Sequence, residues 1–194
     1  CHQNEVFLIS NCIKYLKSLK LKIFINVMQC TEINNKKLKK ICEFLKKNKI
    51  SIIYIADSLG CLKPKQLKKI SAFFKKNWDG QIGLHAHNNL KLALKNSMIA
   101  IKNDFKWIDS TVTGMGRGPG NLKTEDILQK TNNYFLTKEF KRTKSHFNNL
   151  KNIYRWGPNK YYKFAAQKKI HPTYIQKILA DSRYSTKEYN KILK

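Results

Sequence analysis

The segment Ile82-Gly83-Leu84-His85-Ala86-His87-Asn88-Asn89 holds the residues best suited to chemistry in this 194-residue chain. The pattern over 81–87 predicts a strand, which would put His85 and His87 on one face with Cα atoms about 6.5 Å apart. Two imidazoles on one face suit a divalent metal, provided a third ligand arrives from elsewhere. They equally suit histidines hydrogen-bonded at a strand end, and spacing alone leaves both readings open. The two asparagines that follow add neutral oxygen donors where strand passes into loop.

The elements that must position this pair belong to a chain long enough for one domain with a real core. Hydrophobic residues make up 42% of it, and no apolar run approaches the roughly 18 residues of a membrane helix. The five cysteines (Cys1, Cys12, Cys30, Cys42 and Cys61) are odd in number and form no Cys-x-x-Cys pair. That argues against a disulfide framework or zinc knuckle and for a reducing, cytoplasmic setting. Cys30 and Cys61 fall at expected strand ends and read as small buried residues. The formal charge of +27 comes from lysine spread along the chain beside abundant Asn and Ile, as coding sequence rich in A and T produces. A specific nucleic-acid binder concentrates its basic residues and interleaves aromatics, so only weak, salt-sensitive adhesion to polyanions is expected.

Apolar residues at 8, 9, 12, 13, 16 and 19 predict a first helix over 7–19. The run 22–28 predicts a strand buried on both faces. Residues 33–47 return to helical spacing, with Leu38, Ile41, Cys42 and Leu45 inward. A second strand is expected over 50–56, a helix opened by Pro64 through Phe74, the strand at 81–87, a helix over 90–102 and a strand over 106–112. Strand and helix alternating at this interval mean parallel strands joined by helical crossovers. Polar residues gather after the strands, at Gln29–Glu32, Asp57-Ser58, 85–89 and 113–121. In parallel α/β proteins that carboxyl edge is where ligands bind, so four such ends define one site. The last is Gly114-Met115-Gly116-Arg117-Gly118-Pro119-Gly120-Asn121, a glycine-rich turn before a helix start with Thr124 and Glu125 in its first turn. It lacks the Lys-Ser/Thr of a P-loop and the spacing of a dinucleotide fingerprint.

Taken together, Asp57-Ser58-x-Gly60, Gly83-x-His85-x-His87-Asn88-Asn89 and Ile108-Asp109-x-Thr111-Val112-x-Gly114 through Asn121-x-x-x-Glu125 resemble the metal-dependent aldolase/lyase superfamily, the DRE-TIM or HMGL-like metallolyases. The likeness covers residues 5–130 in order and spacing. It implies an α/β fold, the C-terminal portion of a TIM (β/α)8 barrel, about strands five to eight, followed by an α-helical tail. Residues 1–130 would be the partial barrel and 131–194 the helical region. The resemblance assigns His85, His87 and Asn121 to a divalent metal, Mn²⁺ or Mg²⁺ and less often Zn²⁺, and Asp57 and Ser58 to the substrate pocket. The metal would chelate an α-keto acid or acyl substrate and stabilise the charge formed as a C–C bond breaks or forms.

The family's Asp-Arg-Glu segment, which adds an acidic metal ligand and an enolate-stabilising Arg from the first barrel strand, does not occur in these residues. The resemblance therefore predicts the C-terminal part of a longer enzyme, or a fragmentary gene product, inactive without an N-terminal half or another subunit. Within the family, the loop 114–121 is most like that of 4-hydroxy-2-oxovalerate aldolase, whereas Leu122–Asp126 resembles the continuation in hydroxymethylglutaryl-CoA lyase. A Claisen-type acyltransferase of the isopropylmalate or homocitrate synthase kind is the alternative chemistry. A non-catalytic basic binding module is the alternative outside chemistry.

Beyond residue 130 the pattern is helical, with Tyr134, Phe135, Phe140, Phe147, Leu150 and Ile153 as inward positions. Further helices are expected over 160–168, from His171-Pro172 through Leu179, and after the capping box Ser185-Thr186-Lys187-Glu188. The tail resembles the C-terminal helices of the aldolase branch, where a tyrosine serves as acid/base. Tyr162, or its neighbour Tyr161, is the positional match, and the competing reading is a core aromatic of a helical hairpin. His171 reads as a helix N-terminal residue.

Overall fold

The computed structural model describes the backbone of residues 1–192 and the side chains of all of these except 134–137, 186 and 192. The chain divides into two compact units. The first comprises Cys1–Ser58, Leu62–His85 and Asn96–Asp109, and the second Leu59–Cys61, Ala86–Lys95 and Ser110–Lys194.

The first unit is built on a four-stranded sheet of β1 (Phe24–Val27), β2 (Ile52–Ala56), β3 (Gln81–His85) and β4 (Trp107–Ile108) in sequential order. Every pairing is parallel. Helices α1 (Ser10–Ser18), α2 (Asn35–Lys47) and α3 (Pro64–Asn77) accompany these strands, and α4 (Ala93–Lys102) runs from one unit into the other. Sequential parallel strands with right-handed crossovers carry their helices on one face of the sheet. That face is aliphatic: Ile25, Val27, Ile53, Ile55 and Leu84 are buried, as are Leu38, Ile41, Cys42 and Leu45 of α2 and Leu67 and Phe74 of α3. All four inward positions expected in α2 are thus in the core. Asn34 starts that helix by accepting from the Lys37 amide at 2.9 Å, and Pro64 occupies the first turn of α3.

Three expectations are corrected here. β1 is not buried on both faces, since Phe24 and Met28 are exposed while Ile25 and Val27 are covered. The N-terminal helix is a short 3-10 turn followed by α1, and of its apolar stripe only Ile13 is fully buried, Leu8 and Leu19 being exposed. The third strand ends at His85, so His87 stands beyond it, and the last strand is only Trp107–Ile108. Strand length is set by a neighbour's backbone, and β3 stops with β2, at the pair Ala56↔His85, while β4 pairs only at Gly83↔Trp107 and Leu84↔Ile108.

The sheet is curled. Phe24 and Trp107 lie on its two edge strands, yet their ring centroids are 5.1 Å apart. A flat sheet would hold those strands about 14 Å apart. Curling toward the face opposite the helices is what an arc of a barrel requires.

The second unit holds the loop 110–123 and α5 (Thr124–Lys130), α6 (Tyr134–Tyr154), α7 (Lys160–Gln167), α8 (Pro172–Ala180) and α9 (Thr186–Ile192). Its core groups Tyr162, Ala165 and Ile175, with Tyr161, Ile170 and Leu179 packed alongside, and Leu59, Cys61 and Ala166 with Leu90. Asn159 caps α7 through the Tyr161 and Tyr162 amides, and Ser185 and Glu188 form the expected box before α9. The expected inward stripe of α6 is corrected at Leu150 and Ile153, which are exposed. The side chains of Tyr134 and Phe135 lie outside the described residues. Among the described residues no helix is long and apolar enough to cross a membrane.

Candidate metal centre

In the first unit the polar strand ends are tied to one another along the carboxyl edge. The Gln29 amide, after β1, donates to Ser58 Oγ at 3.0 Å. The Asp57 amide, after β2, donates to the His85 carbonyl at 3.0 Å. The Asp109 amide, after β4, donates to the Leu84 carbonyl at 3.1 Å. In the last two the parallel ladder is carried one step past the strand, into the amide of the loop that follows.

Asp57 and Ser58 are both buried, and both are engaged by backbone. The two carboxylate oxygens of Asp57 accept from the Leu62 amide at 3.1 and 3.2 Å, which folds the loop after β2 back on itself. His85 is half-buried and its Nδ1 lies 3.0 Å from Asp109 Oδ2. Tyr54, in the middle of β2, hydrogen-bonds the same carboxylate. Burial, and then the charge of Asp109, raise the Tyr54 phenol far above its ordinary value, so it stays protonated.

In the second unit His87 and Asn121 are partners in an isolated antiparallel bridge. The Asn88 amide donates to Gly120 O at 3.0 Å and the Leu122 amide to Ala86 O at 3.2 Å, so the segment after β3 runs against the end of the glycine loop. The loop closes on itself through the Asn121 amide to Gly114 O at 3.0 Å. Asn121 Nδ2 donates to Met115 O at 3.0 Å. Tyr162 is buried with its ring against Gly118, whose φ is +57° and where a Cβ would sit 3.0 Å from the ring. Only glycine serves at that position, for both reasons. The Tyr162 carbonyl accepts from Asn89 Nδ2 at 3.3 Å, and burial raises the Tyr162 phenol above its ordinary value. His171 is the N-cap of α8, its Nδ1 accepting from the Thr173 amide at 3.3 Å, as its sequence position suggests.

The donor chemistry fits a divalent cation. A neutral imidazole whose Nδ1–H is held by a carboxylate would ligate through Nε2, the usual arrangement behind a metal-bound histidine. Asn121 spends its amide nitrogen on Met115, so its oxygen is the end that would meet a cation. An imidazole nitrogen and an amide oxygen are each donors that a divalent cation accepts. Among the described residues no group of three His, Cys, Asp or Glu side chains forms a metal cluster. Two residues in contact with this chemistry, Asp109 and Tyr54, were not among the sequence candidates for the site. The strand register could have signalled them, since Tyr54 pairs with Gly83 and Gly83 with Trp107, two positions before Asp109.

A sequence model of the HMGL-like family matches residues 2–150. The 4-hydroxy-2-oxovalerate aldolase of Brevibacillus brevis is 34% identical over 92 residues, which are 47% of this chain and 27% of that protein. The enzyme of the same name from Geobacillus thermodenitrificans is 30% identical over 127 residues, 66% of this chain and 37% of that one. The chain thus spans about a third of the length of these curated relatives. Among solved structures, the N-terminal domain of a Bacteroides vulgatus protein assigned as an aldolase superposes with a TM-score of 0.84 at 27% identity. That match covers 99% of this chain and 64% of the other. The Bacillus subtilis HMG-CoA lyase shares the fold, with a TM-score of 0.66 at 17% identity over 81% of this chain and 58% of that one.

Proposed function

Since the chain belongs to the HMGL-like family, we propose that it is part of a divalent-metal aldolase that cleaves or forms a C–C bond next to an α-keto acid, as a 4-hydroxy-2-oxovalerate aldolase does. The observation that carries this reading is a strand-end imidazole, His85, already oriented by the Asp109 carboxylate inside the segment that matches the family. In this reading His85, His87 and Asn121 hold the ion, Mn²⁺ or Mg²⁺. Asp57 and Ser58 form the pocket floor, their side chains fixed by the Leu62 and Gln29 amides so that the loops above the sheet keep one conformation.

The ion, when bound, would chelate the keto acid and offset the negative charge that develops as the C–C bond breaks. In the cleavage direction a base takes the substrate's hydroxyl proton, the C–C bond breaks, and the electron pair passes to the keto-acid carbon as an enolate. Protonation of that carbon gives the free keto acid. Tyr162 is proposed as the proton donor, and its raised pKa keeps a proton on it at neutral pH. The reading also makes residues 1–130 strands five to eight of a barrel and 131–194 a helical region beside it. The remaining strands would come from an N-terminal half or another subunit. The curl of the four-stranded sheet supports this.

The test is calorimetric titration of the 194-residue chain with Mn²⁺. Saturable binding that His85→Ala and His87→Ala each abolish is the expected result. No heat at millimolar Mn²⁺ would overturn the reading and favour a non-catalytic module. If binding is seen, pyruvate release from 4-hydroxy-2-oxovalerate by the chain joined to its N-terminal half, lost in Tyr162→Phe without loss of Mn²⁺ binding, checks the role of that phenol.

A further inference from the structure

Tyr54 has no role in the chemistry above and Asp109 enters it only as the carboxylate beside His85, yet the three side chains form one chain. His85 Nδ1 and Asp109 Oδ2 are 3.0 Å apart. A carboxylate oxygen accepts, so in the neutral ring this contact favours the proton on Nδ1 and leaves the lone pair on Nε2. The carboxylate is itself held, because the protonated Tyr54 phenol donates a hydrogen bond to Asp109. Tyr54 is held in turn. It is 8% exposed, and its row on the sheet continues through Gly83 to Trp107. A Cβ at Gly83 would lie 2.5–2.6 Å from three atoms of the Tyr54 ring, so the ring occupies space that any other residue would fill. Gly83 is two residues before His85 on the same strand and the same face, which ties the space for the tyrosine to the histidine it supports.

We infer that Asp109 and Tyr54 are positioning residues for His85, fixing the Nδ1–H tautomer and the ring plane so that Nε2 is the nitrogen offered to a cation, with Gly83 making room for the tyrosine ring. The cation half of this rests on the reading of His85 as a ligand; the tautomer half does not. A merely structural network would hold the loop after β4 without caring which ring nitrogen carries the proton, and that difference is measurable.

The experiment uses the full chain labelled with ¹⁵N-histidine at pH 8, where an ordinary imidazole is neutral. Ring nitrogen shifts of His85 are read in the wild type, Asp109→Asn, Tyr54→Phe and Gly83→Ala, and Mn²⁺ affinity is read by calorimetry in the same samples. The wild type is expected to hold the proton on Nδ1. Asp109→Asn should redistribute it and weaken Mn²⁺ by about 10- to 100-fold, the range for removing a ligand's outer partner. Tyr54→Phe and Gly83→Ala should move both readouts the same way by less. Should Asp109→Asn not fold, Tyr54→Phe removes a single oxygen and carries the test. An unchanged tautomer in folded Asp109→Asn and Tyr54→Phe overturns the inference, even if His85 proves to bind Mn²⁺. A tautomer that shifts in a protein that binds no Mn²⁺ supports the positioning of His85 and overturns the metal reading instead.

Discussion

On one face of the sheet stand Ile25, Val27, Ile53, Ile55 and Leu84, none more than 8% exposed. On the other stand Phe24, Asn26, Ile52, Tyr54, Ala56, Gln81, Gly83, His85 and Trp107, in the same strands and one residue out of step. The first face is aliphatic and covered by crossover helices. The second mixes aromatic rings, an imidazole, an amide and a phenol with the buried Ile52 and Ala56 of β2. Because side chains alternate along a strand, the two faces answer to different demands at no cost to each other. Packing fixes the aliphatic face, and the aromatic face is left to chemistry. The polar chain from Tyr54 through Asp109 to His85 lies wholly on the second.

That contrast can be broken most sharply at Leu84, which is fully buried between Gly83 and His85. Leu84→Ala should destabilise the protein by about 2–5 kcal/mol, as cavities in covered cores do, with Mn²⁺ affinity per folded molecule unchanged. Urea denaturation and calorimetry on the same variant check both halves. A loss of affinity without a loss of stability would mean that the faces are not independent. On the opposite face Trp107→Leu keeps an apolar side chain but loses the edge-on contact with Phe24. The expected cost is about 0.5–1.5 kcal/mol, smaller than for Leu84, and it is read the same way.

The smallest effect is a reactivity rather than a stability. Cys42 sits on the helix side of the core, where burial pushes its thiol up to about 11. At pH 8 roughly one molecule in a thousand then carries the thiolate, the reactive form. Iodoacetamide should label exposed Cys12 in the native protein and reach Cys42 only on unfolding, as peptide mass mapping would show. Ready labelling of Cys42 would mean that the helix-covered face admits water.

Much of this was legible in the residues. The apolar period of α2 named its four buried positions, Pro64 marked the start of α3, and β-branched runs located β1 and β2. These signals are local: helix and strand periods are written in each segment's own side chains. The order and spacing of Asp57-Ser58, His85-x-His87 and the loop to Asn121 carried the family, because spacing survives where identity falls to about a third. The length of β3, by contrast, was misread, and with it the idea that one strand bears both histidines. A strand's end depends on how far its neighbour runs, and nothing in 81–87 reports that.

What the sequence determined by itself was the α/β alternation, the family and the residue types available for a divalent ion. What the tertiary structure alone decided was who stands behind those residues. Asp109 comes 24 positions after His85, and Tyr54 lies a further strand away, yet all three share one face of one sheet. Register and curl make them neighbours, and both are properties of strands already paired, set by backbone hydrogen bonds and ring packing between segments distant in sequence.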